Sequence, residues 1–257
     1  MISIPHCGTA FPDELINDFR DEMVGDQDDT DWFLQDLNDF APQLGITIIH
    51  AKYSRWVIDL NRNPDSAPLY NDGRLITGLT TTTDFLGNPL YKPCREPDQA
   101  ETSRRLENYY WPYYRKIEEL LAERKKQFGR ALLWDAHSIR RMVPTIRKDP
   151  FPDMILGDND QKSAEKELID IALKTLGTKY KVSHNDPFKG GHITRYFGRP
   201  ESGIHAMQLE RNKLLYMDDT ERSFHPERAN AMRSVLKEMF SELADALMVR
   251  SLAPPHS

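Results

Sequence analysis

Ala131-Leu132-Leu133-Trp134, followed at once by Asp135-Ala136-His137-Ser138, is the stretch that decides the fold. Four apolar residues in a row, with no polar alternation, describe a strand buried on both faces. Strands of that kind belong to parallel sheets covered by helices. The polar residues follow immediately. In an open α/β sheet, ligands lie beyond the carboxyl ends of the strands, so Asp135 and His137 stand where a site is built.

The same pattern recurs on both sides of this stretch. Ile2-Ser3-Ile4, Ile46-Thr47-Ile48-Ile49-His50-Ala51, Trp56-Val57-Ile58 and His205-Ala206-Met207-Gln208-Leu209 all read as short, mostly apolar strands. Helical patterns lie between them. Glu101 to Phe128 carries Leu106, Tyr109, Tyr110, Tyr113, Ile117, Leu120 and Leu121 at spacings of three and four, with Pro112 predicting a kink or break. Ser163 to Leu176 is a second helix, with Ser163 as the expected N-cap and Gly177 as the stop. Glu227 to Leu252 is a third, amphipathic through Met232, Val235, Leu236, Met239, Phe240, Leu243 and Leu247.

Strands alternating with helices predict an α/β, three-layer α/β/α architecture with a mixed, mostly parallel central sheet. We expect one catalytic domain over residues 1–252 and a frayed tail at 253–257. Two irregular stretches, 63–100 and 139–162, are longer than simple connections and are expected to wall a site.

Bulk properties narrow the function. The chain has 257 residues, of which 39% are hydrophobic and 29% charged, and a mean hydropathy of -0.64. No apolar run approaches the roughly 18 residues of a membrane span, and the first residues lack the basic start and apolar centre of a signal peptide. A net charge of -6 argues against nucleic acid as the partner, while local arginines remain able to hold a small anionic substrate. Cys7 and Cys94 are the only cysteines. A disulfide framework is therefore not expected, and a cytoplasmic location is. Any metal must rest on histidine and carboxylate ligands.

Reading the strand ends in order gives Pro5-His6-Cys7-Gly8-Thr9, Asp59-Leu60-Asn61-Arg62, Asp135-Ala136-His137-Ser138 and Gln208-Leu209-Glu210-Arg211. Imidazoles, carboxylates and an arginine would thus converge on one edge of the sheet, which is what metal-assisted amide hydrolysis requires. Zinc lowers the pKa of water to about 7 and polarises a carbonyl. His6 and His137 suit the metal, Glu210 suits general acid–base work, and Arg62 suits an oxyanion or a substrate carboxylate. Each residue alone also has a structural role open to it. Asp59 and Arg62 can form an ion pair, and Glu210 with Arg211 can open a solvated helix.

These residues carry a family resemblance. Ile4-Pro5-His6-Cys7-Gly8-Thr9, Asp29-Thr30-Asp31-Trp32, Asp59-Leu60-Asn61-Arg62, Trp134-Asp135-Ala136-His137-Ser138, Asp153-Met154-Ile155-Leu156-Gly157, Gly190-Gly191-His192-Ile193-Thr194 and Gln208-Leu209-Glu210 resemble, in this order, the N-formylglutamate amidohydrolases. That family is similar to the zinc carboxypeptidases and aspartoacylases, which implies a zinc-exopeptidase (phosphorylase/hydrolase)-like fold. The resemblance implies hydrolysis of N-formyl-L-glutamate to formate and L-glutamate in histidine degradation. It also implies zinc on His6 and His137, Arg62 over the substrate, and Glu210 as the base.

Two positions depart from the pattern. Thr9 stands where the relatives place a glutamate ligand, so the third ligand is Asp31 or, as the alternative, Glu14 on the first helix. Cys7 stands where serine is expected. A substrate with two carboxylates calls for several grips. Arg62, Arg195, Arg147, Asn61 and His192 are the candidates, with Arg140, Arg141 and Arg74 behind them. Thr80-Thr81-Thr82-Thr83-Asp84 either lines the pocket or caps a local turn. Two competing readings remain: a deacylase of another N-acyl amino acid or small peptide, and a metal-free binding protein on the same scaffold.

Overall fold

Strand β1 (Ile2–Ile4) lies between β2 (Ile48–His50) and β3 (Ala131–Ile139) and runs parallel to both. The computed structural model describes residues 1–65 and 78–251. Beyond β3 come β6 (Ile204–Asn212), β4 (Met154–Gly157) and β5 (Val182–His184), completing the order β2-β1-β3-β6-β4-β5. Only the β6–β4 pair is antiparallel, so the sheet is mixed and mostly parallel, as predicted.

Three short helices, α1 (Asp13–Ile16), α2 (Asp21–Gly25) and α3 (Leu34–Leu37), follow β1. Then come α4 (Gln99–Arg105), α5 (Trp111–Phe128), α6 (Lys166–Gly177), α7 (His192–Phe197) and α8 (Pro226–Ser251). Among the described residues, no helix is long and apolar enough to cross a membrane.

Side chains alternate across a strand, and this sorts the sheet into its two faces. Leu132, Trp134 and Ala136 join Met207 and Leu209 under α6 and α8. Ala131, Leu133 and Ala206 join Tyr113, Ile117 and Leu121 of α5 and Ile193 and Phe197 of α7. The layers are thus α/β/α. Trp134, 1% exposed, meets Phe240 of α8 edge-on at 5.4 Å. Burying a large apolar side chain of this kind contributes about 1.5–3 kcal/mol.

Several local expectations need correction. Trp56-Val57-Ile58 is buried but is not a strand: the Val57 amide bonds back to the Ser54 carbonyl at 2.9 Å, closing a turn. Ser163 does not cap α6. Its hydroxyl donates to the Ala206 carbonyl at 2.8 Å, stapling the loop to β6, and Glu165 precedes the helix. Gly177, read as the stop, is the last residue of that helix, and Thr178 follows it as the cap. The expected break near Pro112 is a π-helical turn, Leu106–Tyr110, lying just before the proline at the second residue of α5. Strand β4 falls inside the stretch read as irregular and β5 follows it; both have four residues or fewer. The 253–257 tail and Arg74 lie outside the described residues.

Candidate metal centre and active site

His6 leaves β1, and the loop after α2 brings Asp31 to it: the Asp31 amide donates to the His6 carbonyl at 2.9 Å. His137 sits within β3, on the α5/α7 face of the sheet. The two imidazole rings are 4.8 Å apart. Both present Nδ1 to Asp31, whose Oδ2 lies 3.8 Å from His6 Nδ1 and 3.2 Å from His137 Nδ1. One ligand atom from each of the three buried residues falls within 4.8 Å of the other two, a group able to hold a metal ion. Glu14 is elsewhere. It is exposed and binds the Tyr109 hydroxyl at 2.6 Å and Arg104.

The outer nitrogens explain the orientation. His6 Nε2 lies 2.8 Å from Asp59 Oδ1, and His137 Nε2 lies 2.9 Å from Asp135 Oδ2. A carboxylate on one ring nitrogen fixes the tautomer, turns the ring and leaves the other nitrogen's lone pair free for a cation. These carboxylates are themselves held. Asp59 accepts from Arg55 Nη2 at 2.6 Å and from the Asn61 amide at 2.9 Å, and Asp135 accepts from the Ser3 hydroxyl at 3.1 Å. Ser138 donates to Asp31 Oδ1 at 3.1 Å. Asp29, two residues before Asp31, accepts from Trp56 Nε1 at 2.9 Å and from the Phe85 amide, anchoring the loop that delivers Asp31.

Electrostatics follow from burial against this density of acids. Burial, helped by Arg55, pushes His6 down to about 4. Burial alone would lower His137, but Asp135 and Asp31 outweigh it and raise its pKa well above the ordinary histidine value. Asp59 resists burial and is held well below the usual carboxylate range by Arg55, Arg62 and His6. Asp31, Asp59, Asp135 and Glu210 face the site, with Arg55 and Arg62 as the nearby guanidiniums. Two imidazole nitrogens and the Asp31 carboxylate turned toward one another offer the donor types a divalent metal takes.

Glu210 of β6 pairs in register with His137 of the neighbouring strand. Its carboxyl accepts from Gln208 Nε2 at 3.2 Å, and burial pushes it up to about 7. Arg211, one residue on, faces the opposite side of the sheet and is fully buried there. The Glu210-Arg211 pair is thus strand and not the start of a solvated helix.

The proposed substrate grips divide. Arg62 lies beside the centre, 3.8 Å from Asp59 Oδ2, with about a fifth of its side chain exposed. The tight partner of Asp59 is Arg55, four residues before it. Asn61 is buried and committed: its Oδ1 accepts from the Ile193 amide at 2.8 Å and its Nδ2 donates to Gln208 Oε1 at 3.3 Å. Gly191 must be glycine, because a Cβ there would stand 2.3 Å from Asn61 Nδ2. That contact joins the Gly190-Gly191 loop to the site, where Arg195 Nε donates to the Gly190 carbonyl at 2.9 Å. His192 opens α7 beside Tyr114 and Tyr196, and burial with Arg195 lowers it to about 4.

Arg147 stacks on Phe151 at 5.5 Å and, among the described residues, makes no hydrogen bond to the cluster. Arg140 pairs with Asp28 and Glu221, while Arg141 is exposed. Asp84 caps a turn, accepting from the Leu86 and Asn88 amides. Sequence reasoning missed Arg55, and it gave Asp59 and Asp135 no role toward the histidines. The signal was present in Arg55 at four residues from Asp59 and in Asp135 at two residues from His137, positions on one face of a strand or turn.

Fold and site together define an α/β protein with a two-histidine, one-aspartate candidate metal centre at the carboxyl ends of its parallel strands. The chain belongs to the N-formylglutamate amidohydrolase family, whose model matches residues 1–217. It is 41% identical to the N-formylglutamate deformylase of Pseudomonas aeruginosa over 246 residues, covering 95% of this chain and 91% of that protein. Identity to the Pseudomonas putida N-formylglutamate deformylase is 39% over the same shares of each. The crystal structure of the N-formylglutamate amidohydrolase from Ralstonia eutropha superposes with a TM-score of 0.78 at 26% identity, covering 98% of this chain and 94% of that one. A gene product from Agrobacterium tumefaciens shares the fold at a TM-score of 0.71 and 18% identity, over 95% of this chain and 91% of that one.

Proposed function

We propose that the chain hydrolyses N-formyl-L-glutamate, adding water across the formyl C–N bond to release formate and L-glutamate. The observation that carries this reading is the pair of histidines aiming Nδ1 at Asp31, with Glu210 in register beside His137, in a chain 41% identical to a deformylase. His6, Asp31 and His137 are the residues that would hold the metal, with zinc as its identity. A divalent ion there supplies Lewis-acid activation of water and of the formyl carbonyl.

The chain's own groups do the rest. Glu210, with a carboxyl near neutrality, takes the proton of the attacking water and returns it to the leaving amine of glutamate. Arg62 neutralises the oxygen that gains charge or grips a substrate carboxylate. Arg195 and His192 on α7 are the further grips. Arg147 is a weaker one, since Phe151 already occupies its guanidinium. The place of such a reaction is the cytoplasm, in histidine breakdown.

The test is formate release by the metal-replete protein on N-formylglutamate, N-acetylglutamate and N-formylaspartate, with metal content measured on the same sample. The expected result is a clear preference for the first substrate and about one equivalent of zinc per chain. Equal turnover of the acetyl compound would move the activity to a general deacylase, and an active protein free of metal would end the metal mechanism.

A further inference from the structure

A second cavity lies at the amino ends of β1 and β3, the end of the strands opposite the metal centre. Its volume is about 370 Å³, within the range of about 300–1,000 Å³ typical of small-molecule sites. Leu44, Ile46, Leu121, Phe128, Leu243 and Leu247 form apolar walls, drawn from α5, α8 and the turn before β2.

Besides Thr47, three polar residues break the apolar lining: Arg124, Arg130 and Trp134. Each carries a buried nitrogen that, among the described residues, has no hydrogen-bond partner, namely Arg124 Nε, Arg130 Nη1 and Trp134 Nε1. Trp134 is 1% exposed and the Arg130 side chain 10%. A buried donor left unmet is destabilising, so three of them on residues around one cavity need an explanation. The other ends of these arginines are occupied. Arg130 Nη2 donates to Glu165 Oε2 at 2.8 Å and lies 3.1 Å from His205 Nε2. Arg124 reaches Gln127 Oε1 at 3.3 Å and Glu123 Oε2 at 3.7 Å.

We propose that this cavity is a binding site for an apolar monocarboxylate, separate from the catalytic centre. The head group follows from the donors: guanidinium and indole nitrogens only donate, so the ligand must bring acceptors. Two cationic donors and one neutral N–H on residues lining the same cavity favour an anionic, planar head. The body follows from the walls, which apart from the Thr47 hydroxyl offer only apolar side chains to a second charged end. A short dicarboxylate such as the catalytic substrate is therefore the wrong ligand.

Decanoate is the probe and decanol its neutral counterpart, titrated into the purified full chain by calorimetry. The expected result is saturable binding of one decanoate per chain, with decanol at least about tenfold weaker. Two variants test the place. Arg130→Gln removes one unmet donor, and Ala244→Trp fills the mouth from the exposed side of α8. Both should lose decanoate affinity by about tenfold or more, while circular dichroism and formate release stay as in the parent chain.

Equal affinity for decanol would overturn the proposal, and so would unchanged decanoate binding in Ala244→Trp or no saturable binding at all. A dimer that Ala244→Trp splits would assign the cavity to a second copy of the chain and likewise overturn it.

Discussion

At the residue scale, the chemistry rests on how environment divides like groups. Glu210 and Asp59 are both carboxyls within the site, yet burial lifts one to about 7 while Arg55 and Arg62 hold the other far down. In the proposed mechanism the lifted group serves as the base, while the depressed one anchors His6. Glu210→Gln should therefore keep its metal and lose turnover by about 10²–10⁴-fold, with metal content and kcat measured on the same preparation. A bound dication lowers the Glu210 value, so the acid limb of kcat/KM should fall at or below about pH 7 and be absent from the residual activity of the variant.

The same raised pKa has a cost in stability. From 4.5, the ordinary value, up to about 7 the folded metal-free chain holds more protons at Glu210 than the unfolded chain, and stability falls as pH rises through that window. Metal-free Glu210→Gln should accordingly melt higher than its parent at pH 8, and a lower Tm would contradict the assignment. Asp135→Asn acts differently. It removes the negative charge that orients His137, leaving a single neutral carbonyl acceptor, and should weaken metal affinity about 10–100-fold, with activity recovered when excess zinc is added.

At the scale of elements, short segments position long-range contacts. The Gly190-Gly191 turn ahead of α7 carries no catalytic atom, but the Gly191 amide donates to Gln208 Oε1 at 2.7 Å and its missing side chain admits Asn61. Gly191→Ala forces Asn61 out of a network that also includes Ile193 and Gln208. The expected outcome is a loss of kcat/KM of about 10²-fold, the scale of a 1 Å displacement at a site. Far-ultraviolet circular dichroism should be unchanged. A variant with normal kinetics would show that the turn does not position the site. Runs of alternating or fully apolar residues in β1, β3 and β6 were legible because their burial is intrinsic to the pattern. Trp56-Val57-Ile58 was equally apolar and became a turn, since Ser54 captures its amides. Strands β4 and β5 were illegible because three or four residues are too few to display a period.

At the scale of the whole molecule, the candidate centre ties together three distant segments: the end of β1, the loop carrying Asp31, and β3. A ligand that binds only the folded chain stabilises it by mass action, about 2.7 kcal/mol at a concentration 100 times its Kd. Stripping the metal with a chelator should lower Tm by several degrees, and adding zinc back should restore it. A Tm indifferent to both treatments would place the metal outside the fold's energetics.

The division between sequence and tertiary structure follows from the range of the interactions. The sequence alone determined the layered α/β class, the mostly parallel sheet and the strand ends where His6, His137 and Glu210 sit, because side-chain burial and strand period are local properties. The ordered motifs also carried the family. Only the tertiary structure brings Asp31, and not Glu14, to the two imidazoles, because that depends on which loop reaches them: Asp31 is tied to the His6 carbonyl, and Glu14 is drawn to Tyr109 and Arg104. It also decided that Asp59 and Asp135 turn the histidines and that Arg211 faces away from Glu210. Each of these is a matter of direction in space, which spacing along a chain does not encode until the strands are paired.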